Sequence, residues 1–330
     1  MPIFYLKKFL KAWNTLLSPP PFFKGEGQGG GGRHNEKPVI ASPTPLLASP
    51  LEVRGEGFIR RNLLPLLFLA MIFLGLPAAA EEQTENIRLY NAYWNKINVG
   101  DLVIKIQRRG NDYRIETDIQ SHGIANAISG YSGQTVTEAM VSDGKIIPLA
   151  FRSDFETRHK PRHIEIKYAP DGKIISEINN PPENRDKRPE VEKKLKDGSY
   201  DPLSAALLVR EKLRVLRESG QLDKGKTHFT IPLYDGRRRS NLEFIVYGRE
   251  KQKIGGNEIA VIHIGFTNQP VAGYTQNEIR ALPTHNPIIN AYIEDNDLLL
   301  PVKGDGETRI GFAYGDMAEE CKSFAGCGIK

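Results

Sequence analysis

The sequence predicts a mainly β protein: a large curved antiparallel sheet with meander topology, half-barrel-like in shape and wrapped against one main helix at residues 201–219. Three observations support this fold class. Apolar and charged residues alternate along several segments, turn dipeptides that contain glycine separate those segments, and one long helical pattern interrupts them.

The alternation is clearest over residues 113–119, which read Tyr-Arg-Ile-Glu-Thr-Asp-Ile. The odd positions suit a core face, and the even positions are all charged. The same pattern recurs at 102–106, 164–168, 242–246 and 262–266. Such alternation is typical of antiparallel strands with one buried face and one wet face.

Turn dipeptides lie between the strand-like segments. Each of them tolerates the positive φ angle that a tight hairpin requires. The five dipeptides are Gly110-Asn111, Asp143-Gly144, Asp171-Gly172, Asp235-Gly236 and Gly255-Gly256. Strand and turn follow one another at intervals of roughly ten residues, which favours a meander.

The main helix is predicted to begin at Asp201, which is a good N-cap, and Pro202 suits the first helical position. Ser204 fits the first turn, and Gly220 ends the pattern. One apolar stripe is expected to face the concave side of the sheet, and it comprises Ala206, Val209, Leu213 and Leu216. The segment 122–130 predicts a further helical turn.

Composition excludes several classes of protein. The 330 residues include 45 Lys or Arg, 40 Asp or Glu and two cysteines. Residues 1–80 hold nine of the basic and four of the acidic residues, so residues 81–330 carry 36 of each and are formally neutral. A nucleic-acid partner is not expected, because a phosphate-binding surface needs a net basic face. Two cysteines exclude a disulfide-dense scaffold and a four-thiolate zinc site.

Residues 58–80 have the three parts of a secretory signal peptide. Two arginines are followed by an apolar run at 63–76 and by small residues that end at Ala80. We expect cleavage between Ala80 and Glu81, which leaves a periplasmic chain without a stable membrane span. The alternative is an inner-membrane anchor through 63–80, although a bilayer span needs about 20 apolar residues.

Residues 1–57 precede this signal and are rich in proline and glycine. A basic-Gly-Glu-Gly phrase occurs twice in them, at 24–27 and at 54–57. Such composition does not build a core. We expect either translated upstream DNA, with the true start near Arg60, or a disordered extension. Residues 81–330 then form a single periplasmic β-rich domain.

Short phrases in a fixed order carry a resemblance to a known family. They stand at 181–191, 201–205, 235–239, 273–274 and 300–302. Over most of residues 84–315 the chain resembles DUF3108, a family of exported bacterial proteins of unknown function. This implies a periplasmic β-rich domain with no assigned reaction. The expected architecture is also similar to the lipoprotein carriers of the LolA/LolB type, which is an analogy of fold and does not fix function.

The function we expect is non-enzymatic binding of a hydrophobic ligand in cell-envelope transport or assembly. The ligand would be a lipid or the acyl chain of a lipoprotein. A curved sheet with an apolar inner face and a single helix leaves room for a cavity, near Ala206 and Leu207. One alternative is a packed structural or interaction module of the envelope without a cavity. A hydrolase with an unrecognised site is the third interpretation.

A basic turn is the second candidate for ligand binding. Asp235, Arg237 and Arg238 belong to a hairpin with a local charge of +2. Its arginines are either solvated or hold an anion through their planar forks. The candidate anions are Asp186, Glu190 or a lipid headgroup. The surrounding residues 179–199 are proline-rich and charged, which predicts a solvated loop.

No catalytic site, metal or cofactor is predicted. The histidines show no convincing spacing for metal ligands, and Ser204 lacks the Gly-x-Ser-x-Gly context of an exposed nucleophile. Cys321 and Cys327 are expected to form a disulfide that closes a small loop, because the compartment is oxidising.

Overall fold

The computed structural model describes residues 83–158, 160–281, 287–308 and 311–327. The expected signal peptide, its cleavage point between Ala80 and Glu81, and residues 1–57 lie outside the described residues. Among the residues described, no helix has the length and apolar character needed to cross a membrane.

Thirteen antiparallel strands build one sheet within these residues. The strands are β1 (Gln83–Trp94), β2 (Ile97–Arg109), β3 (Asp112–Ser121), β4 (Ser132–Ser142), β5 (Lys145–Thr157), β6 (Lys160–Tyr168), β7 (Ile174–Asn180), β8 (Thr227–Tyr234), β9 (Arg239–Ile254), β10 (Asn257–Ala272), β11 (Ile289–Glu294), β12 (Pro301–Thr308) and β13 (Gly311–Glu320). The helices are α1 (Gly123–Ser129), α2 (Lys193–Lys196), α3 (Pro202–Glu218) and α4 (Gln276–Ala281).

The sheet consists of two meanders joined at their terminal strands. The first runs from β1 to β7 and the second from β8 to β13, and β13 pairs with β1. The spatial order is therefore β7-β6-β5-β4-β3-β2-β1-β13-β12-β11-β10-β9-β8. Between the two meanders the chain passes through α2 and α3. The predicted antiparallel meander is confirmed, and the sheet is not closed into a barrel by strand pairing.

The segment between α2 and α3 lies against the first strand of the second meander. The Tyr200 amide donates to the Pro232 carbonyl, and the Tyr234 amide donates to the Tyr200 carbonyl, both at 2.9 Å. On the other side, the Gly198 amide donates to the Gly172 carbonyl at 3.1 Å. This segment therefore connects the turn that precedes β7 with strand β8. The strands β7 and β8 are the two edges of the sheet.

The helix α3 packs one long face against apolar side chains of the sheet. Its Leu207 joins a cluster on the first meander, together with Tyr113, Ile115, Ala139 and Ile146. Three other α3 residues join a cluster on the second meander, whose members include Ala205, Val209, Leu213, Ile231, Phe244, Val246, Ile262 and Ile264. The helix thus connects the two halves of the core.

The local predictions agree with these elements. Each of the five turn dipeptides lies between two consecutive strands, and α1 and α3 occupy the two predicted helical segments. The α3 N-cap is Asp201, whose Oδ1 accepts hydrogen bonds from the amides of Leu203 at 3.1 Å and Ser204 at 3.0 Å. Pro202 stands at the start of the helix, as expected.

Two details of the predicted helix and loop are wrong. Ala206 is exposed, and the buried stripe passes instead through Ala205, Val209 and Leu213. The first turns of α3 are apolar nearly all round, so the sequence does not show which side of the helix faces the sheet. Contacts with the second meander determine that side. The loop at 179–199 is also not uniformly solvated, since it contains the short helix α2 and several buried side chains.

Candidate functional site

The basic turn between β8 and β9 is buried rather than solvated. Asp235, Arg237 and Arg238 are each less than a tenth exposed. Asp235 Oδ1 accepts from the amides of Arg237 at 2.9 Å and Arg238 at 2.7 Å, which folds the turn back on its own carboxylate. Gly236 has φ +84°, and a Cβ there would collide with the side chain of Ile164. The turn is therefore built into the core.

The carboxylate that faces this turn is Glu183, and its side chain is 4% exposed. Glu183 Oε1 pairs with Arg237 Nε and lies 2.8 Å from Arg162 Nη1, and Glu183 Oε2 lies 3.1 Å from Arg188 Nε. The expected partners Asp186 and Glu190 are both exposed and take no part in these bonds. The hypothesis that Asp186 or Glu190 pairs with these arginines is therefore wrong, and binding of an anionic ligand by the turn stays a prediction.

Two contacts of Arg188 extend this group toward α4, and a further pair lies within the turn. Arg188 Nη2 lies 2.7 Å from Glu278 Oε1, and Arg188 Nη1 donates to the carbonyl of Gly273. Arg238 holds Asp235 Oδ2 through its Nε at 2.8 Å and its Nη2 at 2.7 Å. We call this set the arginine cluster, and its members are Arg162, Glu183, Arg188, Asp235, Arg237, Arg238 and Glu278.

Electrostatics within the arginine cluster favour the charged forms of its carboxylates. Burial raises the pKa of Glu183, but the hydrogen bond from Arg237 and the surrounding guanidinium charges outweigh burial and hold this pKa below its usual value. The pKa of Glu278 is lowered in the same way by Arg238 and Arg188. Burial lowers the pKa of Arg237 to about 10, and the charge of Arg188 acts in the same direction.

Four arginines face three carboxylates, so the arginine cluster carries one formal positive charge. It joins β6, the 181–192 loop, the β8–β9 turn and α4. Ion pairs among its members, together with bonds to other residues such as that of Arg188 to the Gly273 carbonyl, hold these segments around the β8–β9 turn. Buried ion pairs of this kind are costly to break, because removing one partner leaves an uncompensated charge.

The start of α3 is a second buried polar group. Thr137 Oγ1 donates to Asp201 Oδ1 at 2.7 Å, and Ser204 is fully buried beside this cap. Burial raises the pKa of Asp201, and its hydrogen bonds offset this only in part. The Tyr168 hydroxyl is buried and finds no hydrogen-bond partner among the described residues. Asp201 thus caps α3, Pro202 begins it and Ser204 lies in its first turn.

Several exposed apolar side chains lie at one end of the sheet. Alternate connections of an antiparallel meander lie at the same end, so the β3–β4, β1–β2, β12–β13 and β10–β11 connections are neighbours there. Each of these four connections, or the strand end beside it, carries at least one exposed large apolar side chain. We call these residues the apolar rim, and they are Ile97, Ile124, Val271, Ile279, Ile288 and Phe312.

A pocket of about 570 Å³ opens beside the apolar rim. It lies between the β1–β2 turn and the β12–β13 hairpin. Its lining combines aromatic and charged side chains, and the lining residues are Asn95, Lys96, Lys303, Phe312, Tyr314 and Asp316. The sequence reasoning missed this pocket, because its strands are brought together by the pairing of β1 with β13.

Cys321 and Cys327 are joined in a disulfide, with their Cα atoms 5.4 Å apart. Cys327 is buried and packs with Ile87 and Leu89 of β1 and Val103 of β2. A carboxylate oxygen of Glu319 lies within 4.8 Å of both sulfur atoms, but the disulfide removes the thiolates that a metal would need.

These features define a curved-sheet protein organised around one helix and a buried ionic cluster. The chain belongs to the family DUF3108, described as a protein of unknown function, whose model matches residues 89–317. No enzymatic activity is attached to that description. Among curated proteins, none matches the chain.

Two solved structures are similar to part of this chain. One is a beta-barrel-like protein of the domain of unknown function DUF1849 from Brucella abortus, with 13% identity and a TM-score of 0.45, covering 72% of this chain and 96% of that one. The other is described as a "putative lipoprotein" from Parabacteroides distasonis ATCC 8503, with 7% identity and a TM-score of 0.27, covering 72% of this chain and 94% of that one. Neither likeness is close enough to carry a functional assignment.

Proposed function

We propose that this protein is a non-enzymatic lipid-binding factor of the periplasm, and that it contacts acyl chains through the apolar rim. The observation that carries this proposal is the position of the exposed apolar side chains. Isolated exposed apolar residues are ordinary, but a run of them along neighbouring connections marks an interaction surface. Four neighbouring connections carry this run.

The exposed fractions are large enough to matter for binding. Ile97 is 51% exposed, Ile124 is 58% exposed and Phe312 is 44% exposed. Burying half of such a side chain contributes about 1 kcal/mol. Three of them together give about 3 kcal/mol, which corresponds to roughly a hundredfold in a partition coefficient. This is the range in which shallow interfacial contacts become measurable.

The periplasmic location is part of the same proposal. The signal-like segment at 58–80 supports it, and so does the Cys321–Cys327 disulfide, since such bonds persist in oxidising compartments. A lipid partner or an acylated protein would then come from the surrounding envelope membranes.

The apolar rim accounts for lipid contact better than the gap beneath α3. Leu207 is 2% exposed and packs on side chains of β3, β4 and β5, and Leu213 is fully buried against the second meander. An acyl chain in this gap would have to displace those contacts. Ala206 faces away from the sheet, so it is not placed to line such a gap.

A second candidate function is a packed interaction module that binds another envelope protein. The filled interface between α3 and the sheet favours this alternative, because it provides a rigid body and no interior ligand space along those contacts. In that case the apolar rim would bind protein side chains rather than lipid.

Vesicle flotation separates the two candidates. The purified protein is mixed with vesicles of phosphatidylethanolamine and phosphatidylglycerol, and the bound fraction is measured in low and high salt. We expect binding that persists in high salt, because burial of apolar area is not screened. A triple Ile97→Ser, Ile124→Ser and Phe312→Ser variant should bind roughly a hundredfold more weakly.

The edge strand β7 provides the matched control. Ile175 and Ile178 are 68% and 45% exposed but lie outside the apolar rim. A double Ile175→Ser and Ile178→Ser variant should bind vesicles as the unmodified protein does. Absence of flotation, or an equal loss in both variants, would reject lipid binding by the rim and leave the interaction module as the better account.

A further inference from the structure

The pocket beside the apolar rim has an aromatic floor. Tyr314 of β13 stacks on Tyr93 of β1, with ring centroids 4.8 Å apart and planes 14° from parallel. The Phe312 ring continues this surface, with its centroid 6.2 Å from that of Tyr314. Phe312 is 44% exposed, so part of this side chain is accessible to a ligand. The Asn95 amide donates to the Phe312 carbonyl at 2.9 Å, and Asn95 Oδ1 accepts from the Phe312 amide at 3.0 Å, which fixes the backbone that carries the ring.

Carboxylates of β12 and β13 stand beside these rings. Residues that are directly opposite one another on antiparallel strands project from the same face of the sheet. Glu307 is directly opposite Phe312, and Asp305 is directly opposite Tyr314. Asp316 follows Tyr314 by two positions on β13, so it shares this face, and it lines the pocket. Three carboxylates therefore neighbour the aromatic floor.

Two lysines also line the pocket, and they do not reverse its charge. Lys303 is directly opposite Asp316, and its Nζ lies 3.8 Å from Asp305 Oδ2. The same Nζ lies 5.4 Å from the centroid of the Tyr292 ring, so neighbouring side chains offset this positive charge. Lys96 is exposed on the β1–β2 turn, and its long flexible side chain keeps its ammonium group hydrated. The three carboxylates and two ammonium groups sum to one formal negative charge.

The titration of the neighbouring groups agrees with a negative local potential. Burial raises the pKa of Tyr314, and the charge of Asp316 raises it further. Burial raises the pKa of Tyr292 to about 12, with the Asp305 carboxylate acting in the same direction. Burial also raises the pKa of Asp316, and although Lys303 opposes this, the charge of Asp305 adds to it. A cation bound among these groups would reduce the repulsion between the carboxylates.

Aromatic faces with carboxylates beside them match the chemistry of an organic ammonium ion. The negative face of an aromatic ring attracts a cation that lies within about 6 Å of its centroid. Proteins recognise quaternary ammonium groups through several aromatic rings that act together. A volume of about 570 Å³ is ample for such an ion, since small-ligand sites span roughly 300–1,000 Å³.

We propose that this pocket binds an organic ammonium ion, with the ammonium group over the rings of Phe312 and Tyr314 and beside the carboxylates of Asp316 and Glu307. Free amines and lipid headgroups both carry such a group, and the experiment below separates these two sources. The proposal rests on the pocket itself and does not require the apolar rim to bind lipid.

Saturation-transfer difference NMR tests the proposal with soluble probes, because it detects millimolar binding. The cationic probe is choline, and its neutral isostere is dimethylbutanol, in which carbon replaces the charged nitrogen. Glycerol phosphate is the anionic probe. We expect transfer to the methyl protons of choline and about fivefold weaker binding of the isostere. No transfer to choline, equal binding of choline and its isostere, or stronger transfer to glycerol phosphate would each overturn the proposal.

Three variants locate the site by the direction of their effects. Phe312→Ala should weaken choline binding about fivefold through loss of an aromatic face. Asp316→Asn should weaken it about threefold and Lys96→Gln should strengthen it about twofold, because each changes the charge of the pocket. The control is Asp171→Asn, at an exposed carboxylate in the β6–β7 turn, and near-ultraviolet circular dichroism checks that each variant is folded. Unchanged binding by Phe312→Ala, or weaker binding by Lys96→Gln, would contradict an ammonium site.

Vesicles distinguish the two sources of the ammonium group. Flotation is compared between vesicles of phosphatidylglycerol alone and vesicles that also contain phosphatidylethanolamine or phosphatidylcholine. Stronger flotation with the amine lipids, lost in Asp316→Asn, would identify a lipid headgroup, and choline binding with equal flotation would identify a soluble ammonium compound. Choline has no acyl chain, so choline binding without vesicle binding would reject the rim and keep the pocket. Vesicle binding without choline binding would reject the pocket and keep the rim.

Discussion

The Tyr234 hydroxyl on β8 donates a hydrogen bond to Glu177 Oε1 on β7, 2.7 Å away. These strands are the two edges of the sheet, at opposite ends of its spatial order. Burial raises the pKa of Tyr234, and the adjacent Glu177 carboxylate raises it further, so the phenol remains a donor. A side-chain bond therefore links edges that strand pairing leaves unjoined.

Tyr234→Phe removes this link while keeping the buried ring. We expect a loss of about 1–2 kcal/mol in the free energy of unfolding, because the hydrogen bond has a charged acceptor. Urea unfolding measures the loss, and amide exchange of β7 should accelerate more than that of β2. Tyr247→Phe, at a half-buried tyrosine on β9, is the control and should change neither quantity. If Tyr234→Phe accelerated amide exchange equally in β7 and β2, the hydrogen bond would not be what keeps β7 in place.

Glu183→Gln tests the arginine cluster. Glu183 accepts from Arg162, Arg188 and Arg237, so its neutralisation leaves buried positive charge uncompensated. We expect a loss of about 3–5 kcal/mol in the free energy of unfolding. The matched control is Glu190→Gln in the same loop, because Glu190 is exposed. A similarly small effect of both substitutions would contradict the role assigned to Glu183.

The same carboxylate predicts acid sensitivity. The pKa of Glu183 is lower in the folded protein than its usual value, so its contribution to stability is present above an unfolded-state pKa of about 4.3. That contribution is lost as the pH falls through the lower folded-state value. Urea midpoints between pH 7 and pH 3 should therefore fall more steeply for the unmodified protein than for Glu183→Gln. Parallel curves would argue against an ionised Glu183.

Asp201 should make the free energy of unfolding depend on pH in the opposite direction. Burial raises its pKa, so any stability linked to its protonation is present below an unfolded-state pKa of about 3.9 and is lost as the pH rises through the folded-state value. Asp201→Asn keeps the cap and the acceptor for Thr137, so at pH 7 it should be at least as stable as the unmodified protein. Asp201→Ala should lose about 1–2 kcal/mol. Urea unfolding of both variants at pH 7 and pH 4 measures the difference, and an Asn variant as unstable as the Ala variant would contradict it.

The local elements could be predicted because their signals are local. The alternation at 113–119 and the cap formed by Asp201 and Pro202 each depend on residues adjacent in sequence. The pairing of β1 with β13 could not be predicted, since Tyr93 and Tyr314 are far apart in the chain and neither has a pattern that names the other. The pocket beside the apolar rim depends on that pairing.

The arginine cluster also could not be predicted from the sequence. Nothing near Glu183 in the sequence distinguishes it from the exposed Asp186 or Glu190. Its burial depends on Arg237, 54 residues away, and on the contact of Arg188 with Glu278, 90 residues away. A charged, proline-rich segment predicts a solvent-exposed loop when only residues adjacent in sequence are considered. Distant partners of opposite charge are what make its burial favourable.

Lipid contact through the apolar rim can be measured with a fluorescent probe placed on the rim itself. Ile124→Cys is labelled with an environment-sensitive nitrobenzoxadiazole dye, and Ile175→Cys on β7 is the control. The native cysteines are already bonded to each other. On addition of vesicles the Ile124 probe should shift to shorter wavelength and be quenched by lipids that carry a nitroxide on the acyl chain, while the Ile175 probe should not change. An unchanged Ile124 probe in the presence of excess vesicles would contradict the claim.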